Sequence, residues 1–497
     1  MKEFYKFLLF SFIILQFLIK NDVNGFDDNL ITVTKNDIVH YFVSHDPQTD
    51  YFVRYIFQNW ENETFDVFEQ VKDNKSIAID IGAWIGTTSI WLSKNFQHVI
   101  AVEADNESLN CLTKNLNASK CDNVSIVAQP VLDISKNIYF GPRGCRLNES
   151  ISYIKDHSDS IHDYTVRSIT FKQLIHDYVY ENEALKDSKI SFIKCDIEGG
   201  EENILEDVLY FAYNNNCKVY MSFHLSWWKE KNIDDFAYLF KHFKTNCPQD
   251  DVLDYLKRNP FGSLLFEPVE NDIIIKKNIS VVVIGYNQYT FIKNMVEQLE
   301  KFTSDIIVVD NNSNYQPLLD YYRDDFKYTL LKKNFNYGYT VYRQKFVQDL
   351  VGDFYILTDP DLKFNPQLPS TLVNDFIEIS NYFEVNRVGF ALLIKADDLR
   401  KDAIFKNQTI EQWEGPYWVN QMHYPKNSNF ELYNAPLDTT FCLINRKFKD
   451  GSIRVAGDYT CVHIPWHINF QKQLLEDEYE SYMINNNSSN WYIKKDI

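Results

Sequence analysis

Short apolar runs rich in Ile and Val recur along the chain, each followed by a turn residue and then a stretch of helical periodicity. The first clear run is Ser76–Asp80, followed by Gly82, and a second begins at Ile279–Ile284, followed by Gly285. Runs this short and this β-branched predict parallel strands buried on both faces. Strands and helices alternate after both starts, which predicts an α/β class with two Rossmann-like domains in series. Gly262–Glu267 and Asn271–Ile275 read as a hairpin-like pair closing the first domain, with a reversal at Pro268–Asn271 and a boundary at Lys276–Asn278. The expected domains are therefore 26–277 and 278–484, with a low-complexity, mobile tail over 485–497.

The first residues form their own pattern. Lys2 and Lys6 precede an apolar run from Phe7 to Ile19, shorter than the roughly 20 residues a membrane span needs. The run suits a signal peptide over 1–25, with Val23-Asn24-Gly25 as the cleavage site; an uncleaved anchor is the alternative. Sequons at Asn62, Asn106, Asn148 and Asn407 fit a secretory route.

Composition sharpens the picture in two places. A chain of 497 residues has room for two or three domains. Its net charge of −19 argues against a nucleic-acid partner, which demands a basic face. The same charge means that any anionic diphosphate here needs a metal ion or a helix N-terminus beside it. The eight cysteines form no CxxC pair, so zinc spacing is absent, and they are too sparse for a disulfide scaffold.

The first candidate site starts at Asp80-Ile-Gly82-Ala-Trp-Ile-Gly86, where a strand gives way to a helix. Gly82 permits a tight turn and close approach of backbone to ligand. Glu103, at the end of the next strand, is placed to accept hydrogen bonds from both ribose hydroxyls. The DxGxxxG spacing, with no pyrophosphate cradle, favours S-adenosylmethionine over a dinucleotide. Ile190–Ile193 then delivers Lys194-Cys-Asp196-Ile-Glu198-Gly-Gly-Glu201 to the same sheet edge, and Val219–Phe223 delivers His224. Asp196 or His224 is placed to take the proton of a hydroxyl acceptor.

The second candidate site is built from Gly285-Tyr-Asn287, the strand end Asp310-Asn-Asn-Ser313, and Asp359-Pro-Asp361 after another apolar strand. Asp359 and Asp361 can present oxygens to one hard cation, Mg2+ or Mn2+, which would offset a sugar-nucleotide diphosphate. Asp438 is the candidate base or acceptor-site carboxylate, and His463 the candidate to complete the metal shell or touch the diphosphate.

Two resemblances follow from these residues. Residues 50–275 resemble the FkbM family of O-methyltransferases, through Trp60-Glu61, Thr64-Phe65, Asp80–Gly86, Val102-Glu103-Ala104, Phe192–Glu201 and Ser222-Phe-His224. The resemblance implies a class I methyltransferase-like fold holding S-adenosylmethionine at Asp80, Gly82, Gly86, Glu103 and Glu198. Residues 279–467 resemble GT-A, family-2-like glycosyltransferases, through the strand-end Asp310, Asp359-Pro-Asp361, Ala435–Phe441 and His463–Trp466. That resemblance implies a nucleotide-sugar donor held at Gly285, Asn287 and Asp310, a metal at Asp359, Asp361 and His463, and a carbohydrate acceptor. The expected function is a bifunctional glycan-modifying transferase. The competing expectations are a methyltransferase with a glycan-binding second domain, and a surface glycoprotein with two inactive enzyme folds.

Overall fold

The computed structural model describes residues 30–142, 152–155, 163–249, 251–269, 274, 276, 278–425 and 430–484. The expected export segment, the Asn148 sequon and the tail beyond 484 lie outside those residues. Among the described residues no helix is long and apolar enough to cross a membrane.

The first domain is built on β1 (Asp73–Ile81), β2 (Phe96–Val102), β3 (Val124–Val127), β4 (Ile190–Cys195), β5 (Lys218–Ser222), β6 (Phe243–Thr245) and β7 (Ser263–Pro268). They form a seven-stranded sheet in the order 3-2-1-4-5-7-6. The strands from β3 to β5 pair in parallel, while β7 runs antiparallel to both β5 and β6. This is the doubly wound order with its topological switch point between β1 and β4, where ligands bind outside the carboxyl ends of the strands. Six consecutive residues of β1, Ser76–Ile81, are buried, as two-sided coverage by helices requires.

The expected hairpin at the end of this domain is corrected by the sheet. β7 pairs with β5 and β6 instead of with Asn271–Ile275, most of which lies outside the described residues. Alternating apolar residues in Phe243–Thr245 were too few to register as a strand in the sequence.

The second domain is built on β8 (Val281–Gly285), β9 (Ile306–Asp310), β10 (Thr329–Lys332), β11 (Phe354–Thr358), β12 (Arg387–Leu392), β13 (Cys442–Asn445) and β14 (Ser452–His463). These run 10-9-8-11-13-12-14 within a ten-stranded sheet. The first four are parallel, and β13 is antiparallel to both of its neighbours. Both domains are therefore α/β and Rossmann-like, as the alternation of strand and helix patterns predicts.

One apolar core runs between the two sheets. Val208, Leu209 and Phe211 from helix α1 (Glu201–Asn214) belong to the same buried cluster as Val347 and Leu350 of helix α2 (Lys345–Val351) and Ile307 of β9. At Gly352, with φ of +67°, a Cβ would lie 2.3 Å from the Tyr210 hydroxyl, so glycine lets the domains close there. A buried charge cluster lies in the same junction. Asp305 takes Lys276 at 2.7 Å, Ser280 at 2.7 Å and Lys172, while Lys276 also reaches Asp207 at 2.5 Å. Burial alone would raise the Asp305 pKa, but the two ammonium groups outweigh it and hold it below the usual carboxylate range.

Candidate active sites

At the first switch point, Gly82 follows β1 and Asp196 follows β4. A Cβ on Gly82 would lie 1.9 Å from the Asp196 carbonyl oxygen, and Gly82 has φ of +86°, so only glycine lets these loops meet. The Asp196 amide donates to the Ile81 carbonyl at 2.9 Å, which locks the contact. Beside it opens a cavity of about 270 Å3, lined by Gly82, Trp84, Glu103, Gln129, Asp196 and Glu198 among others. Glu103 is 9% exposed; its two carboxylate oxygens accept the Trp84 and Asp105 amides, each at 2.7 Å. Burial raises the Glu103 pKa to about 7, against the opposing pull of those amides.

Two expected donor ligands stand behind the cavity rather than in it. Asp80 is fully buried, accepting Thr88 at 2.7 Å and Ser89 at 2.6 Å and pairing with Lys194 at 3.2 Å. Gly86, at φ of +94°, precedes the helix Thr87–Asn95 and packs against Leu112. Both therefore shape the loop instead of lining the cavity, Asp80 being fully buried among Thr88, Ser89 and Lys194. Lys194 in turn donates to the Gly82 carbonyl at 2.7 Å.

Asp196, Glu198 and His224 gather at the mouth. The His224 Nδ1 lies 2.9 Å from the buried Glu201 carboxylate, and its Nε2 lies 3.4 Å from Glu198 and 3.8 Å from Asp196. The ring stacks on Trp227 with centroids 5.1 Å apart. Burial opposes a charge on His224, but the hydrogen bond and charge of Glu201, then Asp196 and Glu198, outweigh it and push the pKa up to about 9. One ligand atom from each of Asp196, Glu198 and His224 lies within 4.8 Å of the others, a grouping a cation could bridge once His224 is neutral.

At the second switch point, β8 and β11 diverge. Asp359 follows β11, and its Oδ2 accepts the Thr439 hydroxyl at 2.6 Å. Burial, then Asp361 and Asp438, push its pKa well above the usual carboxylate range. Asp361 lies 3.6 Å from the His463 Nε2. Burial lowers the His463 pKa, so the imidazole is neutral, as a metal ligand must be. Neighbouring carboxylates that hold Asp359 back from ionising, beside a neutral imidazole, are a donor set that fits a hard divalent cation.

Asp438 is held in a turn: its Oδ1 accepts the Thr440 amide at 3.0 Å and hydroxyl at 2.7 Å. Burial would raise its pKa, but the Thr440 hydrogen bonds, with Arg454 and His463, lower it, which weakens Asp438 as a base. The expected nucleoside ligands are likewise occupied. Asn287 is fully buried; its Oδ1 accepts the Asn314 and Tyr315 amides at 2.8 and 3.1 Å, and its Nδ2 donates to the Ser481 carbonyl at 3.3 Å. Asp310 is also fully buried and accepts the Ser313 amide at 2.9 Å. A Cβ on Gly285 would meet Ile292 at 2.8 Å. Gly285 ends β8, Asn287 stands in the loop after it and Asp310 ends β9, and all three are buried.

The family model for the methyltransferase FkbM domain matches residues 80–261, and that for glycosyl transferase family 2 matches residues 280–450. The chain carries an FkbM methyltransferase domain followed by a family 2 glycosyltransferase domain. The FkbM methyltransferase of Methylobacillus flagellatus KT aligns at 13% identity over 45% of this chain and 55% of its own, with a TM-score of 0.25. An rRNA methylase from Streptococcus thermophilus aligns at 11% identity over 42% of this chain and 96% of its own, with a TM-score of 0.26. M. jannaschii TYW2, solved in complex with AdoMet, aligns at 10% identity over 50% of this chain and 90% of its own, with a TM-score of 0.25. A search of curated proteins finds no match.

Several residues that build these sites were not marked as such by the sequence. In the methyltransferase domain, Glu201, legible in the sequence only as the last carboxylate of the Lys194–Glu201 stretch after β4, orients His224. In the glycosyltransferase domain, Thr439 holds Asp359, and the buried Glu478 accepts the Thr290 amide at 2.7 Å and hydroxyl at 2.6 Å. Glu478 is separated from Thr290 by 188 positions, so no local pattern could have joined them.

Proposed function

We propose that this chain is a bifunctional, glycan-modifying transferase of the secretory pathway, exported after cleavage before Phe26. Its first domain methylates a hydroxyl and its second transfers a sugar from a nucleotide-sugar donor to a carbohydrate or glycoconjugate. The observation that carries this reading is the pair of separate carboxylate clusters, each at the switch point of its own sheet: Asp196 and Glu198 beside the first cavity, and Asp359 and Asp361 after β11.

In the first crevice Glu103 accepts the ribose hydroxyls of S-adenosylmethionine, beside Gly82 and Glu198. S-adenosylmethionine supplies a methyl group already activated by its sulfonium, so the protein's task is positioning and removal of one proton. Asp196 takes that proton. His224 is the weaker candidate, because Glu201, Asp196 and Glu198 keep it protonated to about pH 9. The cationic His224 instead holds the carboxylates in place. In the second domain Asp359, Asp361 and His463 would hold Mg2+ or Mn2+, which supplies counter-charge for a diphosphate that an acidic chain otherwise repels. Asp438 sits on the acceptor side of that group.

A second reading, a methyltransferase whose other domain only binds glycan, draws on the committed hydrogen bonds of Asn287 and Asp310. Sugar-nucleotide hydrolysis and transfer, measured with Mn2+ and with EDTA beside a methylation assay, separates the two. Metal-dependent turnover supports the bifunctional enzyme, and methylation alone with no donor turnover leaves the second reading.

A further inference from the structure

A cavity of about 500 Å3 lies in the glycosyltransferase domain, apart from the first-domain cavity and from the Asp359 cluster. Tyr355 is the second residue of β11, Arg387 the first of β12 and Ser452 the first of β14, and all three line it. It therefore opens at the strand ends opposite Asp359, which follows the last residue of β11.

Its walls are chemically unusual for this chain. Arg343, Arg387, Arg446 and Lys449 all line it, with Asp450 as the one carboxylate. None of the four cations forms an ion pair among the described residues. The contrast is with the buried Lys172, Lys276 and Arg454, which are paired with Asp305, Asp207 and Glu414. In a protein of net charge −19, unpaired cations sharing one cavity repel each other and attract an anion. Two of the guanidinium groups are also fixed in advance. Arg387 donates to the Leu437 and Asp438 carbonyls at 3.0 and 2.7 Å and to the Tyr342 hydroxyl at 2.7 Å. Arg446 donates to the Gln348 and Gly352 carbonyls at 3.2 and 3.0 Å. Each such bond uses some of a guanidinium's five donors and leaves others for a ligand.

Much of the remaining wall is polar, from the Gln348, Asn386 and Ser452 side chains. Tyr342 and Tyr355 are buried at its base, beside Leu437 and Ile444. The Arg343 and Arg387 guanidinium groups lie over the Tyr342 ring, 5.4 and 5.8 Å from its centroid. Amide and hydroxyl oxygens such as those of Gln348, Asn386 and Ser452 accept hydrogen bonds from sugar hydroxyls, and the volume lies in the range of small-ligand sites. Several cations in one cavity suit a dianion better than a single carboxylate, and Arg matches phosphate oxygens in pairs.

We infer that this cavity is a second ligand site, for a phosphorylated saccharide. Its phosphoryl group sits among Arg387, Arg446 and Lys449, and its hydroxyls meet Gln348, Asn386 and Ser452. The site is separate from the proposed donor site and does not depend on it.

The test is isothermal titration of the full chain in EDTA, with glucose 6-phosphate, inorganic phosphate and glucose as probes. Wild-type chain is expected to bind glucose 6-phosphate at least tenfold more tightly than either other probe. Arg446→Gln with Lys449→Gln, both at the exposed rim, is expected to weaken that binding at least tenfold while circular dichroism stays unchanged. Lys449→Glu alone, which touches no internal hydrogen bond, keeps the test valid if the double variant fails to fold. Absence of glucose 6-phosphate binding, equal binding by folded variants, or equal affinity for inorganic phosphate overturns the inference.

Discussion

Replacing Glu103 by Gln tests the methyl-donor crevice at the atom that matters. Glu103 lines the cavity with both oxygens already accepting amides at 2.7 Å, so each has one further lone-pair site for a ribose hydroxyl. Gln keeps the shape but turns one acceptor into a donor. A hydrogen bond to a charged group is worth about 1.5–3 kcal/mol, so affinity for S-adenosylmethionine should fall about 10- to 140-fold. The same change sets an amide nitrogen against the Trp84 or Asp105 amide, so the ligand-free variant should also lose about 1–3 kcal/mol of stability. Titration calorimetry on protein whose ligand-free melt has been measured separates the two effects. The pH dependence adds an independent check. The free carboxyl titrates near pH 7, and the ligand favours the carboxylate. Wild-type affinity should therefore be flat above pH 7 and fall about tenfold per unit below it, while the Gln variant stays flat throughout. A folded variant binding within twofold of wild type, or a wild-type profile without the inflection, refutes the assignment of Glu103.

Asp359→Asn or Asp361→Asn should lower sugar transfer by about 10²–10³ and leave methyl transfer within a fewfold, read by parallel assays in Mn2+; equal loss of both activities would point to the shared core instead of the metal site. His224 should give methyl transfer that is level from pH 7 to 8.5 and falls as its proton is lost near pH 9; a rate rising tenfold per unit up to pH 9 would make His224 the base. Because its folded pKa is raised, the stability His224 contributes is present below about pH 6.5 and lost as the pH rises through about 9. Asp305→Asn leaves Lys172 and Lys276 short of counter-charge in the domain junction and should cost about 3–5 kcal/mol. Scanning calorimetry should show a single transition moved to lower temperature, and two separate transitions would show that the domains melt independently.

What the sequence revealed and what it hid divide along physical lines. The buried parallel strands were legible because two-sided burial leaves an uninterrupted apolar run, as at Ser76–Ile81 and Val281–Gly285. Gly82 was legible because its turn tolerates no side chain. The role of Asp80 was not, since a strand-end carboxylate looks the same whether it faces ligand or, as here, Lys194, Thr88 and Ser89. The partners of Asn287 and Asp310, namely Asn314, Ser481 and Ser313, were hidden for the same reason: they are set by the loop's path. The junction between the domains was invisible because Lys172, Asp207, Lys276 and Asp305 come from four separate segments. The basic cavity was hidden likewise, since Arg343, Arg387, Arg446 and Lys449 converge only in the folded sheet.

The central claim is that one chain holds two independent donor sites, one for a methyl group and one for a sugar. It is tested most directly by titrating the full chain with S-adenosylmethionine in EDTA, then with a panel of sugar nucleotides before and after addition of Mn2+. The account predicts one S-adenosylmethionine per chain without metal, and one sugar nucleotide per chain only with Mn2+, each unaffected by the other. Mutual competition, or a chain that binds neither donor under any of these conditions, would contradict it.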